Sequence, residues 1–289
     1  MSDDKKNTIA EQIRADFKHL THSERQLANV LLANYPMAGL SSITIFAKDA
    51  GVSTPTVLRM IKKLGFSGFP EFQEVLRAEL TETLSNPIIK HDRWATDAPE
   101  THILNKFADA TIDNLHQSIK QIDYKIFDQV SALLADPERA VHIIGGRITH
   151  AIADYLHTHL QVIRRDVNLI AATAWPHYVL DMSDGDVLVI FDIRRYEQNV
   201  LPLAEIANTK NVQIVLFTDQ WGSPVAKHAS HSIHARIEAP SAWDSSVVTL
   251  FVIEALIAAV QTATWKESRD RMKSLEQLIG KSKMFKKFS

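Results

Sequence analysis

The chain has 289 residues, 45% of them hydrophobic and 23% charged, with 32 Lys and Arg against 34 Asp and Glu and a formal net charge of −2. This length permits two domains of ordinary globular composition. The lack of cysteine excludes a disulfide framework, a thiolate zinc site and a cysteine nucleophile, and it agrees with a cytoplasmic location. No stretch reaches the roughly 18 apolar residues of a membrane span, so no membrane contact is expected. The polar start Met1-Ser2-Asp3-Asp4-Lys5-Lys6 has no apolar run behind it to act as a signal sequence. With charge so nearly balanced, any nucleic-acid contact has to come from a local basic face.

In chain order, residues 1–84 are predicted to be all-helical. Apolar residues recur at helical spacing in Ile9, Ile13 and Phe17, and again in Leu27, Val30 and Leu31. Thr21-His22-Ser23-Glu24 has the form of a capping box and predicts a helix over about 22–34. Tyr35-Pro36 stops it, because proline disfavours the α conformation in the residue before it. A helix-turn-helix is predicted over 42–65. Gly51 sits at the turn, where a positive φ is needed, with Ala47 as the small residue where the two helices touch. Ser53 caps the second helix, Pro55 is tolerated in its first turn, and Gly65 ends it in the left-handed conformation. Val57, Met60, Ile61 and Leu64 fall at i, i+3, i+4 and i+7 as its buried stripe. The candidate DNA-binding residues are then Ser53, Thr54, Thr56, Arg59, Lys62 and Lys63. Thr54 and Thr56 would approach base edges, Arg59 would read guanine, and the lysines suit phosphates. A helical hairpin with a solvated basic face carries the same short pattern.

Ala47-Lys48-Asp49-Ala50-Gly51-Val52-Ser53, continuing through Arg59 to Lys62-Lys63-Leu64-Gly65-Phe66-Ser67-Gly68-Phe69, resembles the N-terminal domain of RpiR-type bacterial regulators. Leu20-Thr21-His22-Ser23-Glu24-Arg25 resembles their entry into the second helix. The resemblance implies a double-stranded DNA operator as partner. Such proteins bind near-palindromes as homo-oligomers, here a dimer or tetramer.

Residues 85–100, with Asn86-Pro87 and Asp97-Ala98-Pro99, read as a linker. Helical patterns resume over 101–119 and 124–135. From Ala140 short β-rich runs alternate with amphipathic helices. Strands are predicted over 141–145, 167–171, 187–193, 212–218 and 232–237, and helices over 150–163, 198–209 and 224–229, with 175–181 unassigned. One long helix over 245–267 closes the domain. Alternation of this kind implies a parallel sheet covered on both faces, with right-handed crossovers. The fold expected is therefore α+β in two domains: an all-α helix-turn-helix domain, then a three-layer α/β/α domain over 101–267 with a five-stranded parallel sheet. Residues 268–289, with Lys281, Lys283, Lys286 and Lys287, read as a frayed basic tail.

The second half resembles the SIS (sugar isomerase) domain, of flavodoxin type, with which RpiR-type regulators bind phosphosugars. In that family the first loop is glycine-rich and carries a phosphate-binding hydroxyl at a helix N-terminus. Here it reads Gly145-Gly146-Arg147-Ile148-Thr149, with Arg147 in place of the later glycine and Thr149 as the hydroxyl. The second loop normally holds two serines, a glycine and a threonine. Here Asp192 and Arg194 replace the serines, Arg195 the glycine and Glu197 the threonine. Either the guanidinium groups of Arg147, Arg194 and Arg195 remake an anion site, or the domain serves only as an oligomerisation scaffold. The resemblance puts ligand contacts on Gly145, Gly146, Arg147, Thr149, Asp192, Arg194, Arg195 and Tyr196. Ser241, Ser245 and Ser246 precede the closing helix and either add hydroxyls or cap it. Trp175, Trp221 and Trp243 either line the pocket or pack in the core. The ligand implied is a phosphosugar or sugar acid.

The 13 histidines do not form a metal motif: His157 and His159 diverge on one helix, and no HExxH is present. A nucleophile elbow and a Walker loop are also missing, so neither cofactor, metal nor catalytic residue is assigned. The sequence points to a ligand-responsive transcription regulator rather than an enzyme. A ligand-independent regulator and a sugar-phosphate isomerase using Asp192, Glu197 or Glu238 are the competing readings.

Overall fold

A computed structural model describes residues 7–96 and 102–282, the side chains of 92–96 excepted. The first residues, 1–6, the 97–101 part of the expected linker, and Lys283, Lys286 and Lys287 of the tail lie outside the described residues.

The helical unit comprises α1 (Ile9–Asp16), α2 (His22–Ala33), α3 (Met37–Leu40), α4 (Ile43–Asp49), α5 (Thr54–Lys63) and α6 (Phe69–Leu84). Thr21 and Glu24 form the expected capping box, and Thr8 with Glu11 forms a second at the start of α1. Gly51 turns α4 into α5 at φ +63°, and Gly65 ends α5 at φ +94°; β-carbons tolerate such angles poorly. Val57, Met60 and Ile61 are buried in one cluster with Leu27, Leu31, Phe46, Phe72 and Leu76. Each fully buried side chain of this size contributes roughly 1.5–3 kcal/mol. Phe66 meets Phe72 edge-on at 5.6 Å, anchoring α6 after the turn.

Two expectations from the sequence are corrected. The linker contains a helix, α7 (Pro87–Thr96), started by Asn86, whose side-chain oxygen accepts the N–H groups of Ile88 and Ile89. The closing helix and tail are two helices, α13 (Val247–Ala263) and α14 (Trp265–Ser282), bent by 100° at Thr264. The Thr264 hydroxyl bonds the Val260 carbonyl where α13 stops, and Arg271 donates to Gln161 O, holding α14 across the neighbouring helix.

Between them lie α8 (Ile103–Gln121), α9 (Tyr124–Ala135), β1 (Val141–Gly145), α10 (His150–Ile163), β2 (Val167–Ile170), α11 (Trp175–Asp181), β3 (Val187–Phe191), α12 (Val200–Thr209), β4 (Gln213–Asp219), a short 3-10 turn (Pro224–Lys227) and β5 (His231–Ala235). All five strands are parallel in the order β2-β1-β3-β4-β5, with Gly145 opposite Phe191. The central strands β1, β3 and β4 are buried on both faces, as their apolar runs require, and the edge strands β2 and β5 only in part. Val187, Val189 and Phe191 face α9, α10 and α13, whereas Leu188 and Ile190 face α11 and α12.

The helical unit is bonded to the α/β domain through α1. Glu11, 1% exposed, takes both Nε and Nη2 of Arg236 at 2.7 and 2.6 Å. Arg14 donates to the carbonyls of Gln220 and Trp221 beyond β4. Among the described residues no single helix is long and apolar enough to cross a membrane.

Candidate functional site

On α5 the structure divides the six residues expected at DNA. Arg59 and Lys62 are exposed and Thr54 is half-buried. Thr56 is corrected: it is buried, 7% exposed, and its hydroxyl bonds Ser53 Oγ at 3.0 Å and accepts Arg59 Nη2 at 2.9 Å. The reason is angular, since Thr56 lies one turn before Met60 on the buried stripe. Ser53 places its backbone at the cap position but gives no side-chain cap bond, its hydroxyl being turned to Thr56. Lys63 reaches back to His19 O at 2.8 Å and the Glu24 carboxylate at 3.3 Å. Leu58, which the sequence reading passed over, stands 39% exposed among the cations. An apolar group there matches a thymine methyl in a major groove.

In the α/β domain the strand order reverses at β1 and β3, so the chain leaves these strands in opposite directions and opens a crevice at their C-terminal ends. A cavity of about 840 Å³ lies there. Its walls are residues 147–149 after β1, 192–199 after β3, 242–246 before α13, and Ser85, Pro87 and Lys90 from the helical N-terminal part. The last wall was missed from sequence because Lys90 sits in the stretch read as linker.

The loop after β1 is tight. A β-carbon on Gly145 would meet Thr149 O at 2.4 Å, so only glycine fits. Gly146 N–H donates to Thr149 Oγ1 at 2.8 Å, and that hydroxyl donates to Phe191 O at 3.0 Å. Thr149 therefore closes the loop and also borders the cavity, whereas Gly145 and Gly146 lie off its wall and support the loop.

The loop after β3 carries two successive left-handed residues, Arg194 at φ +48° and Arg195 at φ +51°, a conformation costing about 1–3 kcal/mol each outside glycine. Asp219, fully buried, holds it. One carboxylate oxygen accepts Arg194 N–H at 2.8 Å, and the other accepts Tyr196 OH at 2.8 Å and the N–H groups of Trp221 and Gly222 at 3.1 Å. Asp192 is buried likewise, accepting Glu197 N–H at 3.0 Å and the Ser223 hydroxyl. Burial pushes its carboxyl up to about 6, against those hydrogen bonds. Asp192 and Tyr196 are thus committed inside the protein although both border the cavity.

Arg194 is the largest correction. Its guanidinium donates to Asp244 through Nε at 3.0 Å and to Glu82 O through Nη1 at 2.9 Å, with the Glu82 carboxylate at 3.5 Å. It also stacks 4.6 Å over buried Trp221. Lys90 pairs with the same Asp244. These partners clasp the β3 loop to the end of α6, and carboxylates rather than a ligand satisfy the cation. Arg147 and Arg195 differ: both are exposed on the wall, and among the described residues their guanidinium groups make no hydrogen bond or ion pair. Ser245 is buried on the wall, its hydroxyl accepting Val247 N–H at 3.3 Å at the start of α13. Ser241 lies off the wall and accepts Trp243 N–H at 3.1 Å in the turn before α13. Trp243 is on the wall, whereas Trp175 packs against the core. Among the described residues no group of three His, Asp or Glu gathers for a metal.

The helix-turn-helix domain of the rpiR family matches residues 7–85, and the SIS domain matches residues 133–259. The chain is 26% identical over 292 residues to the HTH-type transcriptional regulator HexR of Escherichia coli (strain K12), covering 96% of both chains. In fold it is similar to the sugar isomerase domain of an RpiR transcription factor from Sphaerobacter thermophilus, with TM-score 0.57 and 18% identity over 61% of this chain and 99% of that one. It is also similar to the Vibrio vulnificus NanR protein complexed with ManNAc-6P, with TM-score 0.54 and 18% identity over 93% of this chain and 97% of that one. Carrying both domains in this order on one chain, the protein belongs to the RpiR family of helix-turn-helix transcriptional regulators.

Proposed function

We propose that the 840 Å³ cavity binds a phosphosugar or sugar acid, and that its occupancy alters how the chain grips a DNA operator. The observation that carries this reading is the pair of guanidiniums, Arg147 and Arg195, that are without partners among the described residues, at the C-terminal ends of β1 and β3. Planar guanidiniums suit carboxylate and phosphate oxygens, and open parallel sheets bind ligands at this point. NanR, of similar fold, is bound to ManNAc-6P. A ligand shifts a conformational equilibrium only if it contacts the two states differently. The wall formed by Ser85, Pro87 and Lys90 of the N-terminal part supports such a difference, since a ligand there would touch both parts of the chain.

At the other end Thr54, Arg59 and Lys62 of α5 enter the major groove, in a cytoplasmic homo-oligomer that matches a near-palindromic site. Regulation rather than turnover fits Asp192, whose two oxygens are taken by Glu197 N–H and by the Ser223 hydroxyl after β4. The test is isothermal titration of phosphosugars and sugar acids into the wild type and the Arg147→Ala/Arg195→Ala double variant. A hit in the wild type that drops at least tenfold in the variant is expected. A hit that survives unchanged moves the site elsewhere, and no hit at all favours an α/β domain that only oligomerises.

A further inference from the structure

The loop that leads into α10 already holds an anion. Arg147 N–H, in the turn that leads into the helix, gives its hydrogen bond to Glu197 Oε1 at 3.0 Å. The carboxylate reaches it from a different element, 50 residues along the chain, and lies flat on the loop. A β-carbon on Gly146 would come within 2.1 Å of Oε1 and 2.4 Å of the carboxyl carbon. Glycine at 146 is thus what lets the acid approach. Its placement is fixed from behind as well: Glu197 N–H donates to buried Asp192, and Glu197 O accepts Val200 N–H at the start of α12. Helix N-termini attract anions through free N–H groups and the helix dipole; here the protein supplies the anion itself. The second oxygen, Oε2, makes no hydrogen bond among the described residues, and Glu197 lies on the cavity wall beside Arg147 and Arg195.

We propose that Glu197 is a resident anion that sets the specificity of the cavity. It blocks the backbone seat to a phosphate and offers Oε2 to a sugar hydroxyl, so that the ligand's own acid group is left to the arginine side chains. The proposal rests on the reading of the cavity as an anion site and adds the orientation of the ligand within it. A dianionic phosphate placed on Arg147 N–H would meet a carboxylate at contact distance, where little water screens the repulsion. A polyhydroxylated acid meets no such conflict. Its carboxylate faces Arg147 and Arg195 while its hydroxyls donate to Glu197, a charge-assisted bond stronger than a neutral one.

The test measures inorganic phosphate and gluconate binding by isothermal titration to the wild type, Glu197→Gln, Glu197→Ala and the Arg147→Ala/Arg195→Ala pair, with thermal melting to confirm that each is folded. Glu197→Gln keeps an acceptor for Arg147 N–H but removes the charge; Glu197→Ala empties the seat. Phosphate is expected to bind at least tenfold tighter to both Glu197 variants than to the wild type, and gluconate at least tenfold weaker to Glu197→Ala. Phosphate binding no tighter in either Glu197 variant, while the arginine pair still loses it, overturns the role of Glu197 and leaves the anion site standing. If neither probe binds any of the folded proteins, the anion site is overturned and this proposal with it.

Discussion

On α5 the cations stand in water: Arg59 and Lys62 are exposed, and the helix itself, Thr54 to Lys63, contains no acid. Around the cavity the same kinds of side chain are interleaved with Asp192, Glu197, Asp219 and Asp244, and two of the four cations on its wall are committed to carboxylates. Arg194 and Lys90 share Asp244, and Arg194 also takes the end of α6. Each region has its exceptions. Lys63 on α5 is tied back to Glu24, while Arg147 and Arg195 at the cavity have no side-chain partner among the described residues. The comparison teaches that a basic cluster is defined by where its carboxylates are. A cation with a buried acid beside it is part of the fold, and one without is available to a ligand.

The sharpest way to break this distinction is Arg194→Met. The side chain is 8% exposed and the variant would leave Asp244 and the Glu82 carbonyl short of a donor. Removing one partner of a buried pair costs about 3–5 kcal/mol, and retention of Lys90 on Asp244 puts the expected loss near the lower end. Urea unfolding of both proteins measures it. A loss below about 1 kcal/mol, the value of an exposed pair, would put Arg194 with the available cations and undo the contrast.

A smaller effect tests the carboxyl side. Burial raises Asp192 from 3.8 to about 6, so between those values the folded chain holds a proton that the unfolded chain has released. Stability therefore falls as pH climbs through that window and is level above it. Asp192→Asn keeps an acceptor for Glu197 N–H but does not titrate. Relative to this variant the wild type is expected to lose about 2 kcal/mol between pH 4.5 and 7, at about 1.4 kcal/mol per pH unit below the folded pKa. A flat difference in unfolding free energy across that range would mean that Asp192 is already charged at pH 4.5.

The helical unit was the more legible of the two regions because its signals are local. The Thr21–Glu24 box, Gly51 and Gly65 at positive φ, and the Val57–Met60–Ile61 stripe are each decided within a few residues. The parallel sheet was legible as alternation, Val-Leu-Val-Ile-Phe at 187–191 being apolar on both faces. Thr56 was misplaced by residue type, although its spacing from Met60 already turned it inward. Arg194 could not have been placed from sequence, because its partners Glu82 and Asp244 lie 112 and 50 residues away. The α7 and α14 helices were hidden by polar composition. Few apolar residues mark them, and α14 is held by contacts such as Arg271 to Gln161 that only the fold creates.

The smallest effects separate Lys62 from Lys63, two neighbours on α5. Lys62 is exposed and, among the described residues, makes no hydrogen bond or ion pair. Lys63, also exposed, bonds His19 O and a Glu24 carboxylate whose side chain is 11% exposed. If Lys62 neutralises a phosphate, Lys62→Ala lowers the slope of log affinity against log salt by about one, with melting unchanged. Lys63→Ala should leave that slope nearly intact and instead lower stability by about 0.5 kcal/mol, as expected for a partly exposed pair. Fluorescence anisotropy on a labelled duplex at several salt concentrations, beside thermal melts, reads both. An equal drop in slope for the two variants would mean that Lys63 leaves Glu24 when DNA arrives, so that a partner in the free protein does not by itself remove a cation from recognition.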